Sequence, residues 1–470
     1  MKVNARKLFS LSFLTLVLTA CGGGSTSSNV SSSIAPSANV SVVFPNLFDQ
    51  NGSKVLPTYI SHVITSTKNP LATVTITNTG SATTAQVAID LPNYGSAATQ
   101  TITLAAGETK IVNASPIINY TQLFSNTTAV PATVNVTVTS GNTNLFQQSY
   151  PIQITGRNTV FWSNNAVDTS PLIATMVTPQ DKSLAIQGII RGAANRFVGV
   201  TSMVGYQPAN FPAGSYTITP GAYQQESFYV MTGESPSVIV DSVTTTLNNA
   251  DSGIQTFILD DANFNAWTAG SPSAITCALN NATSAGALIQ CTPQATAGYY
   301  HIVYYSPPSN TLNRVLTRHR PMMKWEVTYY QAQAIFEELR SRGLVYVNLP
   351  GTGFFSAAQN VRYPSESINM QSANCIDGAL LFASAFEALG MEPEIALSLP
   401  AGHAFVAVRC WTGSTSCVVP VETTMVGGTA PFSAAENAGM TNWNAWLAGG
   451  SLRAIDIKAA RALGLTPAPM

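Results

Sequence analysis

The sequence predicts a multidomain chain: an N-terminal all-β, immunoglobulin-like sandwich, then an α+β domain interrupted by an inserted β-rich sandwich. Three observations predict this. Apolar and polar residues alternate with period two between Asn/Gly/Ser turns from Ala72 to Val138. Two segments with near-helical spacing, 178–197 and 329–342, flank a second strand-rich block at 211–320. A nearly continuous apolar run, 376–389, then precedes three short strand patterns.

The first twenty residues stand apart. Lys2, Arg6 and Lys7 open the chain, an apolar stretch runs from Leu8 to Leu18, and Leu18-Thr19-Ala20-Cys21 closes it. A basic start, a short apolar core and small residues before a cut describe a secretory signal at 1–20, too short to span a bilayer. With Cys21 at the cut, the segment resembles a bacterial lipoprotein signal. The resemblance implies cleavage before Cys21, acylation of its thiol and amine with palmitate-type chains, and lipid anchoring in the cell envelope. No Asp follows Cys21, which in that resemblance implies the outer membrane. Residues 21–39, rich in Gly, Ser and Asn, read as a flexible tether.

Residues 40–156 supply the first sandwich. Ala72–Thr77, Gln86–Leu91, Thr101–Leu104 and Thr133–Val138 alternate as half-buried antiparallel strands do. No catalytic grouping is visible; His62 is isolated and reads as structural, and the segment reads as a spacer or adhesion module. Thr178 before Pro179 then predicts a helix start, with Leu184, Ile186, Ile189 and Ile190 on one stripe and an end near Arg196-Phe197. The inserted block, 211–320, returns to strands at Ser215–Ile218, Ser227–Val230, Thr256–Leu259 and Tyr299–Tyr304. His301 and His319 lie in or beside it without chemical partners in sequence. Arg314, Arg318, His319, Arg320 and Lys324 read as a solvated connector rather than a phosphate patch. A second helix, Tyr329–Arg342, carries Ala332, Ile335, Phe336 and Leu339 on one stripe and stops at Gly343.

Composition bounds the function. A chain of 470 residues can build several cores. Only 9% of residues are charged and the net charge is −1, which gives nucleic acid no electrostatic reason to bind. No second apolar run approaches the length of a membrane span. In an oxidising compartment cysteines pair. Cys277 with Cys291 and Cys410 with Cys417 each bracket turn-like segments and can staple hairpins, which leaves Cys375 odd and free. A zinc site from Cys410, Cys417 and His403 is the rival arrangement, but it lacks the close Cys-x2–4-Cys spacing of structural zinc.

Cys375 falls at the amino end of the apolar helix that begins at Ile376 and ends at Gly390. Unpaired N–H groups and the helix dipole there favour a thiolate and can hold an oxyanion. His403 begins one strand (403–408) after another at 395–399, and Glu422 ends a third at 417–422. A thiol, an imidazole to take its proton, and a carboxylate to fix the imidazole tautomer form an acyl-transfer set. Asn374 and Gln371 are candidate oxyanion donors, and Asp377 reads as a packing or capping residue.

Asn374-Cys375-Ile376-Asp377, Glu387-Ala388-Leu389-Gly390-Met391, Gly402-His403-Ala404-Phe405-Val406 and Pro420-Val421-Glu422-Thr423-Thr424 resemble the core of the transglutaminase-like superfamily. Bacterial members with a similar Arg-x-Pro-Ser-Glu segment, here Arg362–Glu366, are the nearest match. The resemblance covers 160–210 and 321–470 and implies a papain-like α+β fold with Cys375 as nucleophile, His403 as base and Glu422 as orienting acid. It implies a cysteine peptidase, amidase or protein cross-linker acting on a protein or peptide, cell-wall peptide included, with no cofactor and no metal. Glu stands where Asp is usual, and the inserted block splits the domain. Because some members of the superfamily only bind, a non-catalytic assembly lipoprotein on the same scaffold is the alternative.

Overall fold

The computed structural model describes residues 36–469 apart from 51, 165–166, 198–202, 204, 208, 244–252, 283–286 and 349–357. The signal segment and Cys21 lie outside the described residues, as does most of the Gly-rich loop after Val347. The chain is a multidomain assembly of mixed α and β structure.

The alternating N-terminal segments form two sheets. One holds Ala38–Val43, Ala72–Asn78 and Thr109–Ala114; the other runs through Phe48–Gln50, Ser53–Leu56, Thr143–Ile154, Val130–Ser140, Thr83–Asp90 and Ala98–Leu104. Along Ala72–Asn78 every second side chain is buried, and Val74, Ile76, Val87, Ile89, Val134, Val136 and Val138 meet between the sheets. Period-two patterning thus fixes which face each strand buries.

The helix predicted at Thr178 begins at Ala185 and runs to Ala194. Thr178 is not its cap. Its backbone N–H donates to Ser384 Oγ at 2.9 Å, and Asp181 Oδ1 accepts from Ser183 N at 2.6 Å, so residues 181–183 turn before Leu184 enters with φ 58°. The second helix starts earlier than its apolar stripe suggested, covering Lys324–Ser341. Glu326 supplies the start by accepting the Met323 N–H at 2.8 Å.

Between these helices, two four-stranded sheets form the β block. Gly214–Ile218, Arg314–His319, Ser237–Val243 and Ala287–Gln290 make one; Tyr223–Val230, Gly298–Tyr305, Ile254–Asp260 and Ala278–Ala282 make the other. Phe228, Val240, Ile258, Ile302, Tyr304 and Leu316 share its core. The Cys277–Cys291 disulfide joins the ends of strands in opposite sheets, so it ties the layers together rather than stapling a hairpin. The arginines of the supposed connector are buried, not solvated. Arg320 grips Glu326 through two hydrogen bonds of 2.8 and 2.9 Å, and Arg318 pairs with Glu226 and donates to Tyr216 Oη at 2.9 Å. Buried guanidinium groups need such partners, and here they have them. Where the block enters and leaves, Phe211 N donates to Arg320 O at 2.9 Å and Met322 N to Ala209 O at 2.7 Å.

The remaining chain packs one antiparallel sheet, in the order Val418–Val421, His403–Arg409, Pro393–Ser398, Arg453–Asp456, between helices. Cys375–Ala388 lies against the face bearing Ala404, Val406 and Val408. Leu380, Leu381, Phe382 and Phe386 of this helix are fully buried, and truncating one to Ala would cost roughly 2–5 kcal/mol. Phe405 and Ala396 point the other way, onto Trp446 of the helix Phe432–Ala448. The Cys410–Cys417 disulfide closes the hairpin between the two strands that carry His403 and lead to Glu422. Residues Tyr59, Ile60, Val63 and Phe124 of the N-terminal region share the same apolar core as the Cys375 helix. Among the described residues no helix is long and apolar enough to cross a membrane.

Candidate active site

Local sequence places the thiol at a helix start. Asn374 is extended (φ −84°, ψ −174°), and its side chain accepts the Asp377 N–H at 2.9 Å. Asp377 answers by accepting the Asn374 N–H at 3.3 Å, a reciprocal capping box written as Asn-Cys-Ile-Asp. Cys375 is then the first helical residue, buried, and free of any disulfide. Helix geometry leaves the N–H groups of Cys375 and Ile376 outside intrahelical bonding. Burial raises Asp377 to about 6, against the hydrogen bonds it accepts from Arg362 and Asn374.

Imidazole and carboxylate arrive from the sheet. Gly402, at φ 60°, turns the chain after Leu399 so that His403 opens its strand opposite Ser398. Glu422 follows the last residue of the neighbouring strand, its N–H donating to Ala435 O at 3.0 Å. His403 Nε2 lies 2.8 Å from Glu422 Oε2. Cys375 is the second neighbour of the imidazole, near enough to favour its protonated form. The structure therefore brings Cys375, His403 and Glu422 together, both partners bearing on one imidazole.

The electrostatics follow. Burial works to lower the His403 pKa, but hydrogen bonds and charge from Cys375 and Glu422 outweigh it and lift it to about 10. Burial likewise works to raise Glu422, and bonds from His403 and Thr424 outweigh it, holding the carboxyl below its usual range. Thr424 donates to Glu422 Oε1 from Oγ1 at 2.7 Å and from its N–H at 3.2 Å.

Of the two oxyanion candidates, Gln371, at φ 50°, donates its amide to Arg342 O at 2.7 Å, and Asn374 spends Oδ1 as the helix cap. Cys410 and Cys417 are joined to each other, so neither is a zinc ligand beside His403. Among the described residues no group of three or more His, Cys, Asp and Glu side chains is arranged to hold a metal. His301 bonds Asp261 at 3.0 Å and Ser227 at 2.9 Å while stacking on Phe264, tying a short helix to its sheet; His319 bonds Asp241 at 2.7 Å. His62 bonds Thr466 O at 2.7 Å.

Three neighbours of the Cys375, His403 and Glu422 set escaped the sequence reading. Asn442 Nδ2 donates to Glu422 Oε2 at 3.2 Å, and the Trp446 ring stands edge-on to His403 at 5.9 Å. These two sit one helical turn apart on Phe432–Ala448; their i, i+4 spacing was the available signal. Gly378 is the third. A Cβ there would meet Thr423 Oγ1 at 2.9 Å and Thr423 Cβ at 3.2 Å, so its bare backbone lets the Glu422 segment close on the helix.

No family model and no curated protein matches this chain. Distant neighbours among solved structures include proteases. The secreted serine protease VesC from Vibrio cholerae is 10% identical, over 52% of this chain and 45% of its own, with a TM-score of 0.16. Tripeptidyl peptidase 2 is 10% identical over 54% of this chain, with a TM-score of 0.18; the match takes in only 18% of that protein. A candidate cysteine protease from Cytophaga hutchinsonii is 10% identical, over 47% of this chain and 80% of its own, with a TM-score of 0.15. At such scores the site is read from its own geometry.

Proposed function

We propose that this chain is a cell-envelope lipoprotein whose C-terminal α+β region is a transglutaminase-like cysteine acyl-transfer domain, acting on protein or peptide amides as a peptidase or amidase. The observation that carries the reading is His403, which is hydrogen-bonded to Glu422 and has Cys375 beside the same ring. His403, its pKa raised by these neighbours, already holds the thiol's proton when Cys375 Sγ attacks the amide carbonyl. The oxyanion that forms faces the N–H groups of Cys375 and Ile376. His403 then returns the proton to the leaving amine, and a thioester remains on Cys375. Water, deprotonated by the same imidazole, releases the acid and restores the thiol; an amine in its place would give a cross-link. Hydrolysis needs no second binding site, which favours water. Glu422 holds the imidazole through Nε2 and offsets its positive charge throughout.

Cys375 should be alkylated by iodoacetamide in native protein at neutral pH, faster than a small model thiol, and His403→Ala should slow this by about 10²-fold or more. An inert Cys375 would sink the enzyme reading. One observation favours a binding scaffold instead: the Cys375 residue is only 7% exposed. In that case Cys375→Ala would leave the cellular role intact. Lipid attachment at Cys21 and outer-membrane residence belong to the same proposal, and loss of palmitate incorporation in Cys21→Ser tests the attachment.

A further inference from the structure

The segment leaving the N-terminal sandwich reaches the nucleophile through an unbroken set of polar contacts. Arg157 pairs with Glu366 Oε1, and Asn158 Nδ2 donates to Glu366 Oε2 at 2.6 Å. Asn158 also grips the main chain of Val361, donating to its carbonyl at 2.7 Å and accepting its N–H at 2.8 Å. The next residues, Thr159-Val160, pair antiparallel with Gln359-Asn360. Trp162 Nε1 donates to Gln359 Oε1 at 2.9 Å. Four successive attachments therefore fix residues 359–366 to this segment.

Residues 359–366 in turn hold the start of the Cys375 helix. Glu366 Oε2 accepts the Tyr363 N–H at 2.9 Å. The Tyr363 ring is fully buried and lies 6.2 Å from Phe124 of the sandwich region. Arg362, one residue earlier, donates its N–H to Asp377 Oδ1 at 2.8 Å, and its guanidinium grips Ser372 through O and Oγ at 3.1 Å each. Asp377 is the partner of Asn374 in the capping box that sets Cys375 at the first helical position. This network is part-buried, and polar networks specify one geometry when their members are satisfied.

We infer that Glu366, clamped by Arg157 and Asn158, is a positioning residue for Cys375, and that the segment leaving the N-terminal sandwich is a working part of the acyl-transfer unit rather than a passive link. The inference rests on the acyl-transfer reading for its consequence and on the contact set for its geometry. It predicts that loosening residues 157–158 from Glu366 moves Cys375 away from His403 although none of these residues touches the reacting atoms.

The test uses the full chain with Asn158→Ala, Glu366→Gln and the conservative Arg157→Lys. The chain has four histidines, so the His403 ring can be assigned by NMR against His403→Gln. In Asn158→Ala and Glu366→Gln, the His403 titration should fall by about one pH unit or more as the thiol contact is lost. Iodoacetamide labelling of Cys375 should slow about ten-fold, the scale of a displaced reacting group. Arg157→Lys, which keeps the charge beside Glu366, should leave both close to wild type. Folded variants with unchanged His403 titration would overturn the inference. If wild-type Cys375 is itself inert, the acyl-transfer reading fails, while the titration still decides the positioning. Should Glu366→Gln not fold, Asn158→Ala decides the question by the same two readouts.

Discussion

Glu422 Oε2 stands 2.8 Å from His403 Nε2, and Asn442 donates to that same oxygen from 3.2 Å. The carboxylate is thus held from three directions, by imidazole, by the Asn442 amide and by Thr424 at its other oxygen.

That grip sets a pH dependence. The folded-state pKa of His403 is raised to about 10 from an ordinary 6.5. A raised histidine contributes stability that is complete below the unfolded value and lost as pH rises through the folded one. Denaturant midpoints should therefore decline between pH 6.5 and 10. In Glu422→Gln the His403 titration should move down toward the ordinary range and this part of the decline should flatten. An NMR titration of the ring checks both proteins.

Asn442→Ala leaves Glu422 with one donor fewer and should slow Cys375 alkylation by about 2- to 10-fold, in line with the loss of a hydrogen bond to a charged group. Trp446→Ala removes the ring that packs on Phe405 and stands beside His403. It should destabilise the fold by about 3–5 kcal/mol, read from urea unfolding.

Gly378→Ala pushes a methyl toward Thr423. Helix propensity favours Ala over Gly by up to about 1 kcal/mol, so stability should change little. The rate of Cys375 labelling should fall, because Thr423, the neighbour that must shift, adjoins Glu422. Gly378→Val should reduce both. Comparing labelling with thermal midpoints separates the two effects.

Replacing Cys410 and Cys417 together by Ser opens a link across seven positions of chain. Loop-closure entropy puts the loss at about 2–3 kcal/mol. The hairpin it closes carries His403, so the His403 titration should broaden or shift as well as the unfolding midpoint.

Strands were legible because alternation is local: Ala72–Asn78 and Tyr223–Val230 announce their buried faces within eight residues. The element boundaries at Cys375, His403 and Glu422 were legible because turn and capping residues mark them. Helix starts were harder. Thr178-Pro179 carries a standard start signal, but Asp181 and Ser183 bond each other first and delay the helix to Ala185. Lys324–Ser341 has no Ser, Thr, Asp or Asn cap, and Glu326 alone starts it. Arg318 looked solvated because its carboxylate partner, Glu226, lies far away in sequence and becomes a neighbour only once the sheets form. Asn442 and Trp446 were missed for the same reason: their partners belong to a strand end upstream that no local pattern connects to them.

The pairing of Ala209 and Phe211 with Arg320 and Met322 gives the β block one doorway. To the host, some hundred residues of β-sandwich amount to a hairpin whose two ends are already closed, and closure entropy grows only slowly with what lies beyond such a neck. Two ties beyond the neck, Lys324 N to Glu234 Oε1 at 2.7 Å and Trp325 Nε1 to Tyr229 O at 2.9 Å, then set how the block stands on the helix Lys324–Ser341.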